Sequence, residues 1–415
     1  MHWLTAAFLF FLLAGASFRV WLALRQIRNV QAHRGRVPVP FDQEISLEEH
    51  SKAAAYTAAR TRLGIFAGIW DTALMLLWTL GGGLALVDIF WRQWDLPMLW
   101  TGVAFILATF IFMSIVSLPF SIYQTFVVEA RFGFNRTTPR LFVTDMVKAL
   151  ALSLLIGGPL LALILWLMAR AGDYWWVYAW VAWVTFSLAM TWAFPRFISP
   201  LFNKFAPLED KDLKTRIETL LKRCGFKSEG IFVMDGSRRS SHGNAYFTGM
   251  GNNKRIVFFD TLMESLEPGE VEAVLAHELG HFRKHHIRKR LLLSFAMSLV
   301  GLAILGWLKS QAWFYSALGM DVASDHAALM LFLLVVPVFT FPVTPLGAYL
   351  SRRHEFEADE YASEQSDASS LISALVKLYK DNATTLTPDP LHSGFYDSHP
   401  PAPVRVARLA ELAKG

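Results

Sequence analysis

Long apolar runs alternate with polar blocks along the chain. The runs near 3–24, 63–91, 97–128, 146–168, 174–195, 291–308 and 327–350 are each long enough to cross about 30 Å of hydrocarbon as a helix, which takes roughly 20 residues. Seven spans are expected. Small residues Ala14, Gly15 and Ala16 could end a cleaved leader, but no Lys or Arg precedes the first run and apolar residues continue through Leu24, so it reads as a retained helix. Arg25, Arg28, Arg34 and Arg36 follow it, and the cytoplasmic bias of cations puts the N-terminus outside. The alternation then holds. Expected outer loops carry one cation each, Arg92, Arg170 and Lys309, while Arg131, Arg136 and Arg140 follow span three on the inner side.

Two polar blocks remain, and this topology places both on the cytoplasmic side, where together they can build one modest domain. The expected organisation is spans one to five with their loops over 1–195, a cytoplasmic catalytic block over 196–290, spans six and seven over 291–350, and a cytoplasmic C-terminal block over 351–415. In the first block, Asp210 to Arg223 has an amphipathic helical pattern stopped by Gly225, and Gly230 to Met234 reads as a strand. Asn244 to Thr248 and Arg255 to Phe259 flank the turn-forming Gly249-Met250-Gly251-Asn252-Asn253 and predict a hairpin. A helix is expected from Pro268. Ser46 and Glu49 form a capping-box pattern that starts a cytoplasmic helix running into span two. No internal repeat or low-complexity tract is present.

Composition agrees with the spans. The 415 residues are 54% hydrophobic and only 18% charged, with 33 Phe and 15 Trp, which suits a bilayer and its interfaces and excludes disordered, collagen-like and coiled-coil classes. One cysteine, Cys224, allows neither an intramolecular disulfide nor a thiolate metal site. Any metal must use His and carboxylate. The net charge of +5 is modest, and no nucleic-acid partner is expected.

The candidate chemistry sits on the Pro268 helix, in His277-Glu278-Leu279-Gly280-His281. Residues i and i+4 lie one turn apart on one face, so two imidazoles converge on one ion while Glu278 can reach a water beside it. Gly280 lets another backbone come close. A pair of solvated surface histidines is the bland alternative. A catalytic zinc site needs a third protein ligand. After span seven comes Arg352-Arg353-His354-Glu355-Phe356-Glu357-Ala358-Asp359, where Glu355 and Asp359 share a helical face as a ligand and a carboxylate that orients a ligating His. Glu357 points about 160° away from Glu355 on such a helix and is the weaker candidate. His242, His285, His286 and His354 are competing ligands without so good a paired spacing. Arg19, Asp71 and Asp88 fall inside spans and suit a watery interior, or, for Arg19 and Asp88, snorkelling to the interface. The basic run from Arg283 to Arg290 reads as a positive-inside stop beside span six.

Taken together, these segments resemble the integral-membrane CAAX prenyl endopeptidases (Ste-type). The resemblance rests on H-E-L-G-H, E-F-E-A-D after Arg352, Asn244 to Gly249, Lys254 to Leu262, Ser398-His399-Pro400, Glu129 to Arg136 and Ile198 to Asn203, so it extends over most of the chain. It implies a mainly α membrane protein in which seven transmembrane helices enclose a large water-filled chamber, capped by a cytoplasmic zincin-like α+β metalloprotease domain. In that pattern His277, His281 and Glu355 bind one zinc, Glu278 is the catalytic base, Asp359 supports the zinc site and His399 assists the oxyanion. Asn244, Ala245, Tyr246 and Phe247 would hold an extended substrate.

The expected reaction is hydrolysis of a peptide bond by zinc-activated water, close to the cytoplasmic membrane face, because ten residues of helix, about 15 Å, join His281 to span six and Glu355 lies about 7.5 Å beyond span seven. Substrates would be peptides or proteins, prenylated or held at the bilayer. The ending Leu409 to Gly415 lacks the dilysine-type tail of eukaryotic members and the outer loops are short, which points to a bacterial inner-membrane member, with membrane-protein quality control as a second candidate task. A metal transporter or a scaffold with structural zinc is the alternative class. Its ion would sit near the bilayer midplane on broken helices, whereas both motifs here lie outside the apolar runs.

Overall fold

The structure, a computed structural model, describes residues 2–248 and 254–414. The expected turn at 249–253 lies outside these residues. Six helices are long and apolar enough to cross a membrane, and a seventh span is completed by a bent pair, Leu47–Trp78 and Gly83–Arg92, which meet at 51°. The others are Trp3–His33, Met98–Glu129, Pro139–Arg170, Gly172–Phe202, His286–Leu308 and Asp325–Gln365. All seven expected spans are present, with span two broken. The bend has a local cause: Gly82 takes φ +77°, which only glycine adopts at little cost. Ser46 caps the Leu47–Trp78 helix through the expected box with Glu49, and that helix runs without interruption from the polar loop into the membrane.

Four strands and six of the helices in and beside the polar blocks surround the site, among the described residues. In chain order they are β1 (Phe205–Pro207), α1 (Lys211–Arg223), β2 (Gly230–Met234), β3 (Ala245–Thr248), β4 (Arg255–Phe259), α2 (Pro268–Arg283), α3 (Thr344–Gln365), α4 (Ala368–Asp381), α5 (Pro390–Tyr396) and α6 (Ala402–Leu412). Asp210 caps α1 and Gly225 ends it at φ +64°. The sheet order is β1-β2-β4-β3, with β2 and β4 parallel and the other pairs antiparallel. β3 and β4 form the expected hairpin, and β3 is an edge strand. Leu213, Ile217 and Leu220 of α1, Ile256 and Phe258 of β4, Val271, Ala273 and Leu275 of α2, and Leu371 and Leu375 of α4 share one core. A separate core joins spans one, two, three and seven through Phe8, Trp78, Phe105 and Leu331.

One expectation about connection is corrected. α2 does not run on into span six. Lys284 ends it, and His285 turns the chain in the left-handed region at φ 59° before a new helix starts at His286. α3, by contrast, continues span seven across a short tight turn at Phe341–Val343. The helix that carries Glu355 therefore continues a span directly, while the helix that carries His277 and His281 is joined to span six by a turn.

Candidate active site

α2 begins with Pro268 at its first turn and a capping box between Glu267 and Glu270. Its packing against α3 depends on Gly280: a Cβ there would lie 2.9 Å from Ala358 Cα. This close crossing brings Glu355 onto the histidine pair. His277 Nε2 and His281 Nε2 lie 3.2 Å apart, and they stand 3.4 and 3.2 Å from the two oxygens of Glu355. One donor atom from each of the three residues falls within 4.8 Å of the others. Glu355 Oε2 is buried and makes no hydrogen bond. With Oε2 at 3.4 Å from His277 Nε2 and 3.7 Å from Arg405 Nη1, and Oε1 facing His281, this buried carboxylate and the two imidazoles form a nitrogen and oxygen donor set that suits zinc.

The electrostatics point the same way. Burial and the nearby Arg405 guanidinium oppose a charge on His277, but its bonds to Asp359 and Glu355 outweigh them and hold its pKa at about 9. The pocket thus favours a positive charge at this spot. Glu278 is half-buried on the same helix and makes no hydrogen bond or ion pair among the described residues; burial raises its carboxyl above the usual range.

Asp359 Oδ1 lies 2.8 Å from His277 Nδ1. Behind it stands a residue that sequence reasoning missed. Arg405 of α6 donates to both oxygens of Asp359, at 2.6 and 2.7 Å, and its guanidinium also lies 3.1 Å from His277 Nδ1. Burial works against its charge, and Asp359 more than compensates, raising its pKa. A signal was available: Ala402, Arg405, Val406 and Leu409 form one buried stripe of α6, so an arginine occupies an apolar helical face. Around His281 the geometry is different. Its Nδ1 meets His286 Nδ1 at 3.0 Å, His286 Nε2 meets Glu357 Oε2 at 3.0 Å, and the His354 ring stacks on His286 with centroids 4.0 Å apart. Neither His286 nor His354 is brought to the ligand set, and His242 instead approaches Glu129 and Asn382.

His399 reaches the site from the C-terminal block, with Nε2 3.5 Å from Glu355 Oε1. Arg352 holds that segment by donating to the carbonyls of Ser393, Gly394 and Asp397. The His399 side chain is 63% exposed, but to a cavity of about 1150 Å³ that it lines with Ser398 and Pro400. Removal from bulk water lowers its pKa. The other walls come from span one (Arg19, Gln26), span two (Tyr56, Arg60) and span three (Gln124). Of the charges inside spans, Arg19 lines the cavity and sits over Phe341. Asp88 does not. It is buried between Arg92 and His326, at 2.8 Å from each, while Asp71 is exposed.

At the β3 edge, Phe259 N donates to Asn244 O. Hydrogen-bonded pairs alternate in an antiparallel ladder, so Ala245 and Phe247 direct their N–H groups away from β4. The Ala245 N–H is taken by the side-chain oxygen of its own neighbour, Asn244, at 2.8 Å. The Ala245 and Phe247 side chains pack on the catalytic core, and Tyr246 turns to Met234 on the opposite face.

Comparison with known proteins covers almost the whole chain. A family model described as CAAX prenyl protease N-terminal, five membrane helices, matches residues 26–204, and the model of peptidase family M48 matches residues 207–413. The chain is 35% identical to CAAX prenyl protease 1 of Saccharomyces cerevisiae, over 96% of this chain and 93% of that protein. It is 31% identical to the CAAX prenyl protease 1 homolog of Homo sapiens, over 95% and 93%. The fold is similar to the crystal structure of Ste24p from S. mikatae, with a TM-score of 0.91 and 33% identity over 99% of each chain. These relatives are eukaryotic, and the bacterial origin read from the C-terminal tail finds no support among them.

Proposed function

Because the chain belongs to the CAAX prenyl protease 1 type of M48 zinc membrane endopeptidases, we propose that it cuts prenylated or membrane-held peptides at the inner membrane face. The transporter and scaffold alternatives fall with that membership. The N-terminus lies outside and both polar blocks lie in the cytoplasm, a reading supported by the arginines that follow spans one and three. The observation that carries the assignment of roles is the convergence of His277, His281 and Glu355 within 4.8 Å, directly beside Glu278.

His277, His281 and Glu355 would hold one zinc per chain. When bound, it supplies a Lewis acid that lowers the pKa of a water and polarises the scissile carbonyl. Glu278 accepts the proton of the attacking water and delivers a proton to the leaving amine; its burial, which raises its pKa, suits both transfers. Asp359, backed by Arg405, holds the His277 ring so that Nε2 faces the ligand set. His399 presents Nε2 from the cavity wall and donates to the carbonyl oxygen as charge gathers there. Substrate enters by the cavity and pairs with the free edge of β3, where Asn244 yields the Ala245 N–H and the main chain of Ala245 to Phe247 sets the register. Such pairing asks little of substrate side chains. A broad range of membrane substrates, including proteins cleared for quality control, is compatible with it.

The test is cleavage-site mapping by mass spectrometry on a C-terminal peptide, with and without an isoprenyl group. Wild type is expected to cut the prenylated peptide, while Glu278→Gln keeps one zinc per chain by elemental analysis and loses about 10²-fold or more in turnover. Near-normal cleavage by Glu278→Gln would overturn the mechanism, and equal cleavage without the isoprenyl group would remove prenylation from the substrate description.

A further inference from the structure

The two ligand histidines are held in unequal ways, and the inequality points to a residue pair with no role so far. His277 is tied by its Nδ1 to Asp359 directly. His281 has no carboxylate at its Nδ1; it meets another imidazole, His286, at 3.0 Å, and that ring meets Glu357 at 3.0 Å. We propose that Glu357 and His286 are positioning residues for zinc binding, a carboxylate-to-imidazole relay that fixes the tautomer and orientation of His281. This rests on the reading of His277, His281 and Glu355 as the zinc ligands.

The chemistry of the donors dictates the direction of the relay. An ionised carboxylate only accepts, so His286 Nε2 must carry a hydrogen toward Glu357. A neutral imidazole then offers its Nδ1 as an acceptor, and His281 Nδ1 must donate to it. That leaves the lone pair of His281 on Nε2, the atom 3.2 Å from Glu355 Oε1. The opposite assignment puts a hydrogen on His281 Nε2, where it would block a metal. Ligating histidines commonly owe their orientation to the partner of their other nitrogen, and here that partner is itself oriented.

The fold explains how the relay is assembled. His285 turns the chain at φ 59°, which brings His286, the first residue of span six, back over the end of α2. His286 is 1% exposed, stacked on His354 with planes 12° apart. The alternating acids of α3 then serve three distinct partners. Glu355 faces the ligand site, Asp359 takes His277, and Glu357, on the other side of the helix, takes His286. Arg353 grips the outer oxygen of Glu357 at 3.2 Å and is 68% exposed.

The experiment is a competition titration of the purified full-length protein in detergent against a chromophoric zinc chelator, with the visible spectrum of the cobalt-substituted protein as a second readout. His286→Phe keeps the stacked ring but removes both nitrogens, and is expected to weaken zinc about 10- to 100-fold and to alter the cobalt spectrum. Glu357→Ala is expected to do the same in smaller measure, whereas Glu357→Gln, whose amide oxygen still accepts, restores affinity. Arg353→Ala is expected to leave it unchanged. Because Glu357 acts through His286, the double variant should bind zinc no more weakly than His286→Phe alone. Should His286→Phe not fold, the contrast between Glu357→Ala and Glu357→Gln decides the matter at an accessible position. Wild-type affinity in Glu357→Ala, or a further loss when it is added to His286→Phe, would overturn the relay. Absence of zinc binding by wild type would instead overturn the ligand assignment itself.

Discussion

Replacing Gly280 by alanine tests whether the crossing of α2 and α3 sets the ligand geometry. The added Cβ would stand 2.9 Å from Ala358 Cα, 3.0 Å from Ala358 O and 3.2 Å from Tyr361 Cβ. Ordinary contact begins near 3.4 Å, so the helices must part by about half an ångström. The first two obstacles are backbone atoms, and no rotamer change relieves them. His281 adjoins Gly280, and Glu355 precedes Ala358 by less than a turn on the facing helix, so the parting widens the gap between His281 and Glu355. Metal–ligand distances tolerate only about 0.2 Å. On stability the effects oppose: alanine gains about 1 kcal/mol in helix propensity and overpacking costs about 1–3 kcal/mol, leaving a small net loss. On zinc nothing offsets the displacement, and affinity should fall about tenfold or more, with turnover following. Chelator competition on the detergent-solubilised protein, beside thermal unfolding, reads both quantities. Gly269→Ala on the same helix meets side-chain ends at ordinary contact, Ser370 Oγ at 3.6 Å and Arg216 Nη2 at 3.9 Å, and should leave zinc untouched. Adding Ala358→Gly to Gly280→Ala should rescue little, because the opposing Cα and carbonyl remain. Wild-type zinc affinity in Gly280→Ala would refute the reasoning.

Two further outcomes are expected. In the folded protein burial alone would raise the pKa of Asp389, but Arg25 and the N–H groups of Leu391 and His392 outweigh it and hold it below the ordinary value. A depressed carboxylate contributes stability that is present above its unfolded pKa of about 4 and is lost as pH falls through its folded one. The thermal stability gap between wild type and Asp389→Asn, measured from pH 7 downward, should therefore close on acidification; a gap independent of pH would remove the ion pair from the account. At the sheet edge, Ala245→Pro removes the N–H that points away from β4, and cleavage of an extended peptide should fall about tenfold or more while zinc content is unchanged. Equal turnover would count against strand addition.

The sequence by itself determined what depends on local periodicity. Seven apolar runs gave seven spans, because crossing hydrocarbon is a matter of length and composition within one segment. The Ser46 cap, the helix from Asp210, the hairpin of β3 and β4 and the shared face of His277 and His281 were all legible for the same reason: each follows from residues within a few positions of one another. Glu355, the proposed third ligand, was legible only as a pairing on a separate helix, and the close crossing at Gly280 made it a neighbour of the histidine pair. Other features had no local signature. That β2 pairs with β4 in parallel, leaving β3 at the edge, depends on contacts between segments far apart in the chain. Arg405 reaches His277 across 128 positions, and its buried place on α6 acquires meaning only once α6 packs over Asp359. Helix periodicity placed Glu357 away from Glu355, correctly, yet it took the left-handed turn at His285 to supply the partner on that side. Continuity between α2 and span six was misread for the same reason, since nothing in a run of basic residues announces a turn. Local pattern fixes which elements form and which faces they offer; which faces meet is settled by packing among distant segments, and the electrostatics of the site exist only after they have met.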